Sequence, residues 1–184
     1  MHNIGLQKGG KNMNTTYSQN DEAHKAIIEW NAWTVITFFI CIAVPLLIGA
    51  TSSFFTQDAM YEFNTMIKPP LAPPAWLFPV AWTILYILMG IASFFIIKST
   101  DEARGTGLLI YIIQLGFNFG WSLIFFNLQL YVFSVIWLAI LLAMIIGLII
   151  NTSKYSKPAM YMLIPYAAWC CFAMYLNISI AMLN

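Results

Sequence analysis

The chain has 184 residues, 61% of them hydrophobic and only 8% charged, with mean hydropathy +0.78 and a formal net charge of +1. Soluble domains carry about 25% charged residues, so the composition excludes a water-soluble globular protein and points to an integral membrane protein. No basic run suggests a nucleic-acid partner. At 16%, the aromatic content is high even for a membrane protein, and some rings are expected to line something other than lipid.

Residues 1–29 are polar and read as a disordered tail, turning helical from about Glu22. They lack a short apolar core followed by a small-residue cleavage site, so no removable signal peptide is expected. Residues 30–184 read as an all-α membrane domain of five transmembrane helices. The apolar stretches run from about Ala32 to Phe55, Ala75 to Ile97, Thr106 to Phe126, Leu130 to Ile150 and Ala159 to Leu183. Each reaches the ~20 residues a helix needs to cross a bilayer, and none shows the alternation of a membrane barrel strand.

Three of the four connections are short, which favours antiparallel neighbours in one bundle. Only the link from about Thr56 to Pro74 is long. Helix alternation places Lys8, Lys11, Lys25, Lys98, Arg104, Lys154 and Lys157 on one side and Lys68 alone on the other. That asymmetry predicts the N-terminus inside and the C-terminus outside, most simply in a bacterial cell membrane.

The long link ends in KPPLAPPAWLFPVAWTILYILMG, residues 68–90. Pro69, Pro70, Pro73 and Pro74 fix φ and keep the residues before them extended. Lys68, Pro69, Pro70, Leu71, Pro73 and Pro74 therefore form a semi-rigid strap on the outer side, leading straight into an aromatic helix.

The five spans contain no Asp, Glu, Lys, Arg or His. This argues against an ion-coupled antiporter and leaves no axial histidine for haem within the bundle, since His2 and His24 lie in the tail. Cys41, Cys170 and Cys171 sit in apolar segments, with no metal-ligand spacing. What the spans do hold is rings and amides at helical spacing. Trp82, Tyr86, Met89 and Ser93 share one face, as do Gln114, Asn118, Trp121 and Phe125. In the last span Pro165, Trp169, Ala173, Leu176 and Ile180 align, with Tyr166 and Asn177 at the edge. Any one stripe is ordinary packing, and amides often only bridge helices. Three stripes beneath a strap describe a cavity for a flat, largely apolar ligand. Gly116 and Gly120 form a GxxxG pattern about 150° from the Asn118–Trp121 stripe, an expected homodimer surface.

KPPLAPPAWLFPVAWTILYILMG, QLGFNFGWSLIFF and LIPYAAWCCFAMYLN, in this order, resemble the translocator protein family, also called tryptophan-rich sensory proteins or peripheral-type benzodiazepine receptors. The resemblance covers about residues 33–184. It implies a five-helix bundle, often dimeric, that binds porphyrins and in some members sterols and synthetic ligands. By that resemblance Pro79, Trp82 and Tyr86 are pocket positions of the second helix, and Asn118 and Trp121 of the third. Trp169, Ala173, Leu176 and Asn177 are those of the fifth, and the strap is the pocket lid. Phe125 joins them by helical spacing. Leu71 stands where many members have tryptophan, and Phe133 sits near a position that is tryptophan in animal members. The closing NISIAMLN lacks the basic residue of the animal sterol motif, itself a weak pattern.

These readings give a membrane protein that binds a tetrapyrrole such as protoporphyrin IX as ligand, requires no cofactor or metal, and acts as a carrier or stress-related sensor. The absence of an intramembrane histidine favours metal-free porphyrin over haem. The resemblance implies an alternative, light-dependent oxidative porphyrin degradation in which Trp82 and Trp169 would be catalytic. A further alternative is transport of other apolar ligands such as sterols.

Overall fold

The computed structural model describes residues 31–183 apart from 66 and 68, and for 60–65 only the helical backbone. The expected disordered tail, residues 1–29, and the strap residue Lys68 lie outside the described residues. Five helices follow in order: α1 (Ala32–Thr65), α2 (Leu77–Lys98), α3 (Arg104–Ser122), α4 (Tyr131–Ser153) and α5 (Lys157–Leu183). All five are long and apolar enough to cross a membrane, and the described residues contain no strand.

Two boundaries differ from the sequence reading. Helix α1 runs on past residue 55 to Thr65, so the long link expected over 56–74 shrinks to 66–76. Hydropathy marks where a helix leaves lipid, not where it stops, and the Gln, Ala, Met and Glu beyond Phe55 are good helix formers. At its other end, α3 does not run as an α-helix to Phe126. It opens after Ser122 into a π-helical turn, Leu123–Asn127. Gln129 then takes a left-handed conformation, φ 53°, and turns the chain into α4. Helix α5 begins beside a proline, as helices often do in their first turn. Buried Ser156 caps it, its Oγ accepting from the Ala159 amide at 3.4 Å.

The core is built from seams whose residues recur alternately four and three apart. Along α3 and the π turn after it the seam is Gly107, Tyr111, Gln114, Asn118, Trp121 and Phe125, all buried. In α4 it is Ser134, Leu138, Leu141, Ile145, Leu148 and Thr152. Helix α5 supplies Leu163, Tyr166, Cys170, Ala173, Asn177 and Ile180. This is the 3.5-residue repeat that sets helices against each other in left-handed bundles. Helix α1 is different: Phe39, Leu47 and Phe54 are all more than 60% exposed, as expected of a helix facing lipid on most sides. Gly90 of α2 brings α1 close, because a Cβ there would strike the backbone of Cys41 and Ile42. At the end carrying Lys98, Arg104, Lys154 and Lys157, Arg104 donates to the Ser99 carbonyl at 2.7 Å and Lys98 to Thr34 Oγ1 of α1 at 3.0 Å.

Candidate functional site

Helices α2, α3 and α5 turn their aromatic residues toward one another in the part of the bundle away from Lys98 and Arg104. Trp82 is the junction. Its ring centroid lies 6.3 Å from Trp121, 5.6 Å from Tyr86 and 6.2 Å from Tyr166. Trp121 stacks on Phe125 at 5.4 Å and meets Phe126 edge-on at 6.1 Å. The π turn carries both of those phenylalanines. Its extra residue lets neighbouring rings reach one indole, and π turns gather at functional sites.

A second row of rings climbs α5 toward the strap. Trp169 packs edge-on to Phe78 at 6.3 Å and against Phe172 at 5.6 Å, and Phe172 stacks on Tyr175 at 6.3 Å. Tyr175 Oη then donates to the Pro70 carbonyl at 2.7 Å, tying the strap to α5. Within the strap the Ala72 amide bonds back to the Pro69 carbonyl at 3.2 Å, and Leu71 sits at φ 69° with 82% of its surface exposed. A proline followed by positive φ is the pattern of a type II turn, whose third position normally takes glycine.

Beneath the rings runs a chain of hydrogen bonds through the apolar interior. Tyr86 Oη donates to Asn118 Oδ1 at 2.7 Å, Asn118 Nδ2 donates to Tyr166 Oη at 3.1 Å, and Tyr166 Oη donates to Gln114 Oε1 at 3.0 Å. Each hydroxyl or amide passes one proton onward, so the chain has a single direction and ties α2, α3 and α5 together. Two N–H groups beside it, Trp121 Nε1 and Gln114 Nε2, are buried with no acceptor among the described residues.

The residues anticipated from sequence divide accordingly. Trp82, Tyr86, Asn118, Trp121 and Phe125 come together in the inner cluster, and Trp169 heads the outer row. Ala173 and Leu176 are buried on α5. Asn177 bonds toward α4: its Nδ2 donates to Ser134 Oγ at 2.9 Å, and Ser134 Oγ to the Tyr131 carbonyl at 2.7 Å. Pro79 lies exposed in the first turn of α2, its carbonyl accepting from Thr83 Oγ1 at 2.8 Å. The expected α5 stripe through Pro165 and Trp169 is rotated, because Pro165 is exposed and fully buried Tyr166 leads the inward face. The signal for Tyr166 was present in the four-three seam described above. Gly116 and Gly120 also part company. A Cβ on Gly120 would meet the Trp137 indole of α4 at 3.0 Å, so that glycine serves a contact inside the chain, whereas Gly116 faces open space.

The TspO/MBR family model matches residues 41–183. The chain belongs to the TspO/MBR family. A tryptophan-rich protein TspO of Chlorobaculum tepidum is 36% identical over 82% of this chain and 97% of its own length. One from Archaeoglobus fulgidus is 33% identical over 82% of this chain and 98% of its own length. The translocator protein of Bos taurus is 29% identical over 73% of this chain and 82% of its own length. This TspO/MBR member is thus an integral, multi-pass membrane protein of five spans. Within the family region lie the ring cluster and the whole hydrogen-bond chain, Tyr86 to Tyr166.

Proposed function

We propose that this TspO/MBR protein binds a tetrapyrrole such as protoporphyrin IX among the aromatic side chains of α2, α3 and α5. The observation that carries this reading is the junction at Trp82, where rings from all three helices converge. A flat π-system gains about 0.5–1.5 kcal/mol per ring pair beyond burial when it packs on such rings. Buried donors at Trp121 and Gln114 suit a ligand with acceptor nitrogens or carboxylates, which would relieve part of the cost of an unpaired N–H, about 1–3 kcal/mol. With no histidine in any span, metal-free porphyrin is favoured over haem. Lys68, the lone cation between the first two spans, would attract a propionate from the outer side. The protein then sits with its N-terminus inside a bacterial cell membrane and the strap outside, acting as a carrier or sensor.

Light-dependent degradation is the second reading, favoured by the position of Trp82 and Trp169 at the heads of the two ring systems. One experiment separates the two. Purified protein is titrated with protoporphyrin in the dark, following tryptophan quenching, then illuminated while spectra are recorded. Saturable quenching is expected, and its absence would sink the binding reading. Bleaching no faster than in detergent alone would leave a carrier or sensor and remove the enzyme. Bleaching that Trp82→Phe and Trp169→Phe abolish would establish the enzyme.

A further inference from the structure

A concavity lies away from the ring cluster, on the seam between α1 and α3. It encloses about 370 Å³ and is lined by Leu47, Ile48 and Thr51 of α1 and by Leu115, Gly116 and Phe119 of α3. The lining is almost wholly apolar, and these residues fall near the middle of their spans. Such a groove opens to acyl chains, not to water.

What lies behind it gives it a purpose. Tyr86 reaches across the same seam. On the α1 side its ring rests on Gly49, where any Cβ would collide with it. On the α3 side its hydroxyl is bonded to Asn118. Ile48 and Thr51 flank Gly49 in α1, and Leu115 and Phe119 flank Asn118 in α3. The same two strips of helix that line the groove therefore hold the two edges of the Tyr86 ring. The other side of that ring faces Trp82 and the cluster. Tyr86 thus stands as a single ring between the α1–α3 seam and the ring cluster, resting on Gly49 and bonded to Asn118.

We propose that the α1–α3 groove is the lateral entrance by which a flat, apolar ring ligand passes from the bilayer core into the aromatic cluster, with Tyr86 as its gate. This rests on the proposed tetrapyrrole reading and adds the route. A ligand that partitions into lipid meets the groove first, at the depth of the cluster, and need not lift the strap. The open space beside Gly116 is then the mouth of the route.

A path differs from a binding contact in its kinetic signature: obstructing it slows arrival and departure by the same factor and leaves affinity unchanged. Gly116→Phe and Thr51→Phe fill the groove from opposite walls. A Cβ at Gly116 meets nothing within 4 Å and opens onto the groove, and the Thr51 hydroxyl bonds locally, to the Leu47 carbonyl, so both variants should fold. Protoporphyrin binding is followed by stopped-flow tryptophan quenching in nanodiscs holding one protomer, for these variants, for Tyr86→Phe and for Tyr175→Phe. The expected result is that both groove variants lower the association and dissociation rates together by about tenfold with unchanged Kd. Tyr86→Phe, which keeps the ring and drops its latch, raises both rates, and Tyr175→Phe leaves both unchanged. Wild-type rates in both groove variants, with faster exchange in Tyr175→Phe, would overturn the route in favour of entry under the strap. Wild-type rates combined with lost self-association in detergent would overturn it by making the groove an interface between copies. Absent saturable quenching in the wild type would remove the tetrapyrrole reading and the route together, whereas the two preceding outcomes remove the route alone.

Discussion

Asn118 is the residue on which most of the site's polar order depends. It accepts from Tyr86 and donates to Tyr166, and all three side chains are buried. Asn118→Ala should therefore destabilise the folded protein by about 2 kcal/mol, since it leaves two buried hydroxyls short of a partner. Denaturant unfolding in detergent, followed by tryptophan fluorescence, checks this; a loss near zero would mean the chain of bonds is dispensable. Asn177 and Ser134 invite a different test. Truncating one leaves the other stranded, while Ser134→Ala with Asn177→Leu removes both polar groups. The double variant should be more stable than Asn177→Leu alone, a positive coupling in a double-mutant cycle. At this scale the sequence showed which positions carry amides and which face they share. It did not show what each amide bonds to, because that depends on the helix standing opposite. Asn118 and Asn177 looked alike on their helices, yet Asn118 bonds to α2 and α5 and Asn177 to α4.

The elements show the same division between what a helix says about itself and what its neighbours decide. The α2 and α3 stripes were legible because their rings and amides fall on a seam of regular spacing. In α5 the bulkiest ring, Trp169, is not on the buried seam, which runs through small Ala173 and Cys170 and through Tyr166. The length of α1 was hidden by the polar residues beyond Phe55, which leave the apolar slab without leaving the helix. The strap is the element whose local strain carries a consequence. Leu71 holds a left-handed conformation that costs an L-residue roughly 1–2 kcal/mol. Leu71→Gly should keep the Pro69–Ala72 turn and the Tyr175 contact. Leu71→Val, β-branched at positive φ, should loosen both. Limited proteolysis of the 66–76 link reads the difference: the valine variant is expected to be cut faster than wild type and the glycine variant no faster. Equal cleavage of all three would mean that the turn is not what holds the strap.

For the whole molecule, composition alone established a membrane protein, and the span count followed from apolar length. Three spans presenting rings to a common interior made a ligand pocket the natural reading. The assembly adds what no single helix contains. Trp82 is central because α3 brings Trp121 to it and α5 brings Tyr166. Gly120 lies inside because α4 lays Trp137 over it, the indole donating to the Phe117 carbonyl at 2.8 Å. These two tryptophans offer a comparison within one protein, since one sits in the proposed pocket and the other on the α3–α4 contact outside it. The central claim is that porphyrin binds against the Trp82 junction. Its most direct test is the dark-state Kd for protoporphyrin measured side by side for wild type, Trp82→Leu and Trp137→Phe. Loss of ring stacking at Trp82 should cost about 1 kcal/mol or more, at least a roughly fivefold rise in Kd, with Trp137→Phe indistinguishable from wild type. An unchanged Kd in Trp82→Leu, or a larger loss in Trp137→Phe, would contradict the account.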